Sequence, residues 1–126
     1  MINPRTQTRM PQLALIVDDD APTRFVYARV LSVLGFETAE AADGDEAIAM
    51  LARSTPTLIL LDLLLPNRPG VEILSFVYAD ERFAETRVIV ISAQNQYGLE
   101  LRPHDLFLLK PVLPQQLRDL VRSTVG

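Results

Sequence analysis

Leu58-Ile59-Leu60-Leu61-Asp62-Leu63-Leu64-Leu65-Pro66-Asn67-Arg68-Pro69-Gly70 is the stretch that decides the fold. One carboxylate, Asp62, stands among seven residues that are all leucine or isoleucine. A charge in such company is costly unless it is hydrogen-bonded, paired or metal-bound. Pro56 precedes the run, and Pro66, Pro69 and Gly70 close it, so it is too short for an ordinary core helix. It reads as a strand, Leu58 to Leu61, buried on both faces, with Asp62 at its C-terminal end. On this stretch alone Asp62 reads equally well as a capping or turn residue just past the strand.

Composition narrows the class. At 126 residues the chain is one domain by length. At that size roughly two-thirds of the unfolded surface can be buried, enough for a real core. There is no cysteine, which excludes disulfides, thiolate zinc sites and thiol chemistry. A net charge of −4 argues against nucleic acid as a direct partner. The longest apolar run falls far short of a membrane span. Met1 to Pro11 has two Arg and two Pro but no apolar core, so it does not read as a signal peptide. Residues 1–12 read as a mobile tail ahead of a domain over 13–126, and the expected location is the cytoplasm. Eleven of the basic residues are Arg, and Lys110 is the only lysine. Lysine is a compact point charge and arginine a planar fork. Either position 110 needs the point charge, or lysine stands there by chance.

Outward from the central strand, the chain alternates strands and helices. Leu13 to Val17 is a short apolar strand ending in Asp18-Asp19-Asp20. Asp20 suits a helix N-cap, with Pro22 in the first turn. That helix runs to about Leu34, with Gly35 past its end, and Phe25, Val26, Val30, Val33 and Leu34 are its expected core face. Phe36 to Ala41 is the second strand. Asp43-Gly44-Asp45-Glu46 reads as a capping box, opening a helix to about Arg53. A third helix starts near Gly70, with Val71, Leu74 and Val77 or Tyr78 inward, and ends near Asp80. Val88 to Ile91 and Leu106 to Leu109 are further strands, stopping at Ser92 and Lys110. Pro114 opens a last helix whose inward stripe is Leu117, Leu120 and Val121. This alternation predicts a doubly wound parallel sheet with helices on both faces. Ligands of such sheets bind beyond the C-terminal strand ends. Those ends deliver Asp18, Asp19, Asp62, Ser92 and Lys110 to one edge.

Three clustered carboxylates repel, and a divalent cation removes the conflict. All-oxygen donors favour Mg²⁺ or Mn²⁺ over zinc. A carboxylate can also attack phosphorus to give an aspartyl phosphate. Lys110 would pair with a phosphoryl oxygen and Ser92 would donate to another.

The acidic run at 18–20, the Asp62–Gly70 segment, Val90-Ile91-Ser92-Ala93 and Leu109-Lys110-Pro111 occur in an order that resembles receiver domains of two-component response regulators. Ala42 to Ala47 fits the same pattern, and the resemblance spans about Leu13 to Val125. It implies a flavodoxin-like fold of five parallel strands in the order 2-1-3-4-5. It implies that Asp62 accepts a phosphoryl group from the phosphohistidine of a histidine kinase or phosphotransfer protein. Asp18, Asp19, Asp62 and the backbone carbonyl of Leu64 would hold Mg²⁺, Asp19 more directly than Asp18. Lys110 would contact the phosphoryl group, next to a cis Lys110-Pro111 bond. Ser92 would move on phosphorylation, with Phe107 as the switch aromatic. The signal would be read on the face made by the fourth helix, the fifth strand and the last helix, a face that also allows a homodimer. Nucleic acid and membrane are not implied as direct partners, nor is enzymatic turnover beyond self-phosphorylation and slow autodephosphorylation.

Several positions depart from the family pattern. Phe107 has no hydroxyl, so a switch there must work by packing. Ser92 to Lys110 is short by about one helical turn, ~4 residues, and contains Arg102-Pro103, so the fourth helix should be short or irregular. Gln94 to Asp105 has only Leu99 and Leu101 as aliphatic anchors, and should be mobile until phosphorylation orders it. Leu64 cannot orient an attacking water, which predicts slow autodephosphorylation, with Gln94 a substitute. His104 reads as an exposed loop residue and Asp20 as a cap rather than a ligand. Two other readings compete. One is a degenerate receiver that docks without being phosphorylated. The other is a phosphohydrolase of the haloacid dehalogenase type, disfavoured by Pro22 and by the lack of a later acidic pair.

Overall fold

A computed structural model of the chain describes residues 12–96 and 98–125. Most of the expected tail, residues 1–11, lies outside the described residues. Gln12, the residue before the first strand, is tied to the sheet's edge: its carbonyl accepts the Glu37 N–H at 2.9 Å. Five parallel strands follow, β1 (Leu13–Val17), β2 (Glu37–Ala41), β3 (Leu58–Leu61), β4 (Arg87–Ser92) and β5 (Leu106–Leu109). Their order is β2-β1-β3-β4-β5, so the winding reverses between β1 and β3. The helices are α1 (Ala21–Val33), α2 (Gly44–Leu51), α3 (Gly70–Tyr78) and α4 (Pro114–Val125). None of them is long and apolar enough to cross a membrane.

The continuous apolar run of β3 follows from its central place. Leu58 and Leu60 pack with Ala14, Ile16, Ile89 and Ile91 under α1 and α4. Ile59 and Leu61 pack with Leu15, Val17, Val88 and Val90 under α2 and α3. A strand covered on both faces has no polar side to show.

Local chemistry sets the helix ends. Asp20 caps α1, accepting the Thr23 N–H at 3.0 Å. Gly35, at φ 97°, ends the helix. Its N–H bonds Ser32 O and the Phe36 N–H bonds Leu31 O, both at 3.0 Å, which is a Schellman closure. Asp43 caps α2 through the Glu46 N–H at 2.8 Å, while Glu46 reaches back to the Ala42 N–H at 2.7 Å.

The inward faces of two helices are corrected. The core face of α1 is Tyr27 and Leu31, with Val30 and Leu34 partly buried, while Phe25 is 67% and Val33 76% exposed. Apolar residues occur on more than one side of this helix, so spacing alone could not choose the inward side. In α3, Ile73, Leu74 and Val77 are buried and Val71 faces outward. A 3-10 turn, Glu81–Phe83, follows that helix and buries Phe83 completely.

Between β4 and β5 no helix forms among the described residues. An irregular strap crosses instead. Leu99 and Leu101 pack on the core beside Phe107, but the anchors of its second half are polar. Asp105 accepts from Val88 N–H at 2.8 Å, Tyr78 Oη at 2.7 Å and Arg102 Nε at 2.9 Å. The Arg102 guanidinium also bonds the carbonyls of Phe83 and Thr86, at 3.0 and 2.6 Å, and lies over the Tyr78 ring. The reading of Leu99 and Leu101 as the only aliphatic anchors of Gln94 to Asp105 did not foresee these polar ties. His104 is half-buried rather than exposed, with Nε2 3.3 Å from Asp105 Oδ1.

Candidate functional site

β1 and β3 run side by side with Val17 opposite Leu61, so the residues that follow, Asp18 and Asp62, emerge together at the sheet's C-terminal edge. Backbone bonds hold both in line: the Asp18 N–H reaches Ala41 O at 3.1 Å and the Asp62 N–H reaches Val17 O at 2.9 Å. Asp18 is 2% and Asp62 6% exposed, whereas Asp19 faces solvent. One carboxylate oxygen from each of the three lies within 4.8 Å of the others.

Lys110 reaches the same point from the end of β5. Its Nζ donates to Asp62 Oδ2 at 2.8 Å and to Asp18 Oδ2 at 3.0 Å. The remaining oxygens of the buried pair are also engaged. Asp18 Oδ1 accepts the Asp20 N–H at 2.9 Å, and Asp62 Oδ1 accepts the Leu64 N–H at 3.0 Å. Burial raises the Asp18 carboxyl above its ordinary 3.8, against the opposing pull of the Asp20 N–H and Lys110. Burial would lower the Lys110 ammonium, but its bonds to Asp62 and Asp18 outweigh this and raise it. Lys110 therefore stays charged through the physiological range.

With all carboxylates ionised, three negative charges face one ammonium, leaving two uncompensated charges in one all-oxygen cluster. That donor set suits a hard divalent cation such as Mg²⁺ or Mn²⁺. Asp20 takes no part in the cluster. Its carboxylate caps α1 and is held low by its bonds to the Thr23 hydroxyl and N–H.

The other expected residues lie close by in the fold. Ser92 closes β4, two residues past the Leu61 partner Val90, and is fully buried. Its Oγ accepts the Gln94 N–H at 3.2 Å, and its carbonyl accepts the Lys110 N–H at 2.8 Å. Phe107 sits beside Val90 and packs, half-buried, on the same side as Leu99 and Leu101. Leu64 is 49% exposed. The Lys110-Pro111 peptide is cis.

One neighbour of the site escaped sequence reading. Arg24 donates to the Asp18 carbonyl at 2.7 Å and to Glu40 Oε1 at 3.0 Å, tying the acidic loop to the end of β2. Its position six residues after Asp18, on the first turns of α1, was the available signal.

Residues 14–122 match the response regulator receiver domain. The chain belongs to that family. It is a family of signalling domains rather than catalytic enzymes, which sets the phosphohydrolase reading aside. Over 108 residues the receiver is 35% identical to the phosphate regulon transcriptional regulatory protein PhoB of Pseudomonas aeruginosa, covering 82% of this chain and 47% of that one. The chain spans about half the length of the curated relatives it matches. Solved structures give the same fold. The chemotaxis response regulator CheY4 of Vibrio cholerae superposes with a TM-score of 0.78 at 23% identity, over 92% of this receiver and 100% of that chain. The receiver domain of a Pseudomonas aeruginosa sensor histidine kinase gives 0.79 at 23% identity, over 93% and 99%, and its structure has a magnesium ion in the active-site cleft.

Proposed function

We propose that Asp62 is the phosphoacceptor of a two-component relay and that the receiver passes on its phosphorylation state. The observation that carries this reading is the Asp62 carboxylate, nearly buried, between two further carboxylates and the chain's one lysine. An Asp62 oxygen attacks the phosphorus of a donor phosphoimidazole. The O–P bond forms as the P–N bond breaks, and the electron pair leaves on the imidazole nitrogen, which takes up a proton. Lys110 Nζ stands where it can follow the charge from the carboxylate onto the phosphoryl oxygens. Asp18, Asp19, Asp62 and the Leu64 carbonyl would hold Mg²⁺ or Mn²⁺, which supplies further charge neutralisation when bound.

Receiver domains pair with histidine kinases, and the surface beside the site supports a protein donor. A groove lined by Pro22, Val26, Tyr27, Lys110, Pro111 and Val112 includes the site lysine, and Phe25 and Leu113, sequence neighbours of its lining, are each 67% exposed. Exposed apolar surface of this kind suits protein contact. Downstream, the Ser92 hydroxyl turns toward the phosphoryl group, Phe107 packs into the space it leaves, and the strap, β5 and α4 present the change to a target protein or a second copy.

Acetyl phosphate with Mg²⁺ tests the proposal. The wild type should gain one phosphoryl group by intact mass, and Asp62→Asn none. Equal labelling of the Asn variant refutes the assignment, and no labelling of the wild type by acetyl phosphate or a phosphohistidine donor would leave a docking module instead.

A further inference from the structure

We infer that the N-cap and first residues of α2, Asp43-Gly44-Asp45, are the seat that positions the metal-binding loop, making these three residues positioning residues for the cation. The inference rests on the phosphoacceptor reading, since it concerns the Leu64 carbonyl that would face the metal. The loop over 63–69 is fastened at one end to the Asp62 carboxylate and at the other by a backbone bond. The Leu64 N–H bonds Asp62 Oδ1 at 3.0 Å, and the Gly70 N–H bonds Leu63 O at 2.9 Å. Its middle, Pro66-Asn67-Arg68, is exposed.

What holds that middle comes almost entirely from three consecutive residues of another element. Asn67 Nδ2 donates to Asp43 Oδ2 at 3.0 Å. The Gly44 N–H points at Pro66 O at 3.5 Å. Arg68 Nε donates to Asp45 Oδ1 at 3.0 Å, with a further bond to Glu72 of α3 at 3.3 Å.

Two backbone features show that this contact is built. Asn67 has φ 69°, a left-handed conformation that Asn tolerates better than most residues, and its side chain is the one tied to Asp43. Gly44 opens α2 directly after the Asp43 cap, and the space of its missing side chain is used. A Cβ there would lie 2.5 Å from both the Cβ and the carbonyl oxygen of Arg68. Ordinary contact begins at 3.4 Å, so the loop would retreat by about 0.9 Å.

Mg²⁺ holds its ligands to near-octahedral geometry at a tightly defined distance. A loop displaced by that amount moves the Leu64 carbonyl while leaving Asp18, Asp19 and Lys110 in place. Partners behind metal ligands commonly change affinity by ~10–100-fold when altered. Because Leu64 would give one ligand of several, the lower end of that range is expected.

The test measures Mg²⁺ affinity of the full chain by amide-shift titration for wild type, Gly44→Ala and Asn67→Gly, alongside metal-free spectra and melting curves. Gly44→Ala should shift the amides of residues 63–68 without metal, weaken Mg²⁺ about tenfold, and keep full Asp62 labelling at saturating Mg²⁺. Asn67→Gly keeps the left-handed backbone accessible and removes only the tether to Asp43, so it should weaken Mg²⁺ several-fold with little change in melting. It carries the test alone if Gly44→Ala does not fold. Wild-type affinity in the folded variants, with the wild type binding Mg²⁺, overturns the inference and spares the phosphoacceptor reading. A wild type that binds no divalent cation overturns both.

Discussion

Replacing Asp105 with alanine should remove a large share of this domain's stability although the residue lies on a strap with no regular structure. Its carboxylate is fully buried and accepts from Val88 N–H, Tyr78 Oη and Arg102 Nε at 2.7–2.9 Å. Asp105→Ala leaves a buried amide without an acceptor, which costs ~1–3 kcal/mol. It also strips the Arg102 guanidinium of its counter-charge. Breaking a buried ion pair from one side costs ~3–5 kcal/mol in total. Against a domain stability of ~5–15 kcal/mol that is a fifth or more of the whole. At this chain length it corresponds to a fall of roughly 10–20 °C in melting temperature. Urea unfolding supplies the free energy, and hydrogen exchange should show the Val88 amide and residues 99–105 losing protection together. Asp119→Ala, at an exposed pair 3.4 Å from Arg118, is the contrast and should cost under ~1 kcal/mol. A loss under ~1 kcal/mol for Asp105→Ala would refute the reasoning, because it would mean the strap is not held by this network.

Gly70→Ala should both destabilise the fold and disturb the site, since a Cβ there would come 2.4 Å from Asp62 O and 2.5 Å from Leu63 Cα, both backbone; thermal melts and Mg²⁺ titration check the two effects. Asp18→Asn should raise stability at pH 7 in the absence of divalent metal. The folded carboxyl of Asp18 is raised above 3.8, so ionisation there opposes folding at neutral pH. The advantage of Asn should vanish as pH falls through the raised value toward 3.8 and both side chains become neutral. Saturating Mg²⁺ should reverse the sign, because the ionised carboxylate holds the cation more tightly than a neutral amide oxygen; melts across pH in chelator and in Mg²⁺ read all three. Leu64→Asn should shorten the phosphoryl lifetime, because an exposed apolar residue two positions after Asp62 cannot orient a water and an amide can; decay of labelled protein measures it, and an unchanged half-life removes Leu64 as the determinant.

Much of the site was legible before any coordinates because its residues sit at strand ends. A strand buried on both faces must be apolar, so the first charged residue after it marks where the sheet stops. Asp18, Asp62 and Lys110 are each that residue for β1, β3 and β5, and Ser92 closes β4. Parallel winding then puts them on one edge, and local capping by Asp20, Asp43 and Gly35 follows from short-range chemistry that sequence displays directly. The inward side of α1 was not legible, because Phe25, Val26, Tyr27 and Leu31 are all apolar or aromatic and only the sheet beneath selects among them. Nor was the fate of the segment before β5. Arg102 and Asp105 look like loop charges, and what makes them anchors is Tyr78, Phe83, Thr86 and Val88. The same holds for Gly44 and Arg68, neighbours only because α2 and the loop after β3 cross. The sequence by itself determined the element order and the chemistry at the strand ends, where a residue's role depends on its near neighbours along the chain. Which charged groups became buried partners was settled in the folded molecule, since that depends on residues far apart in the chain, up to 92 positions for Lys110 and Asp18, brought within hydrogen-bonding distance by the packing of other elements.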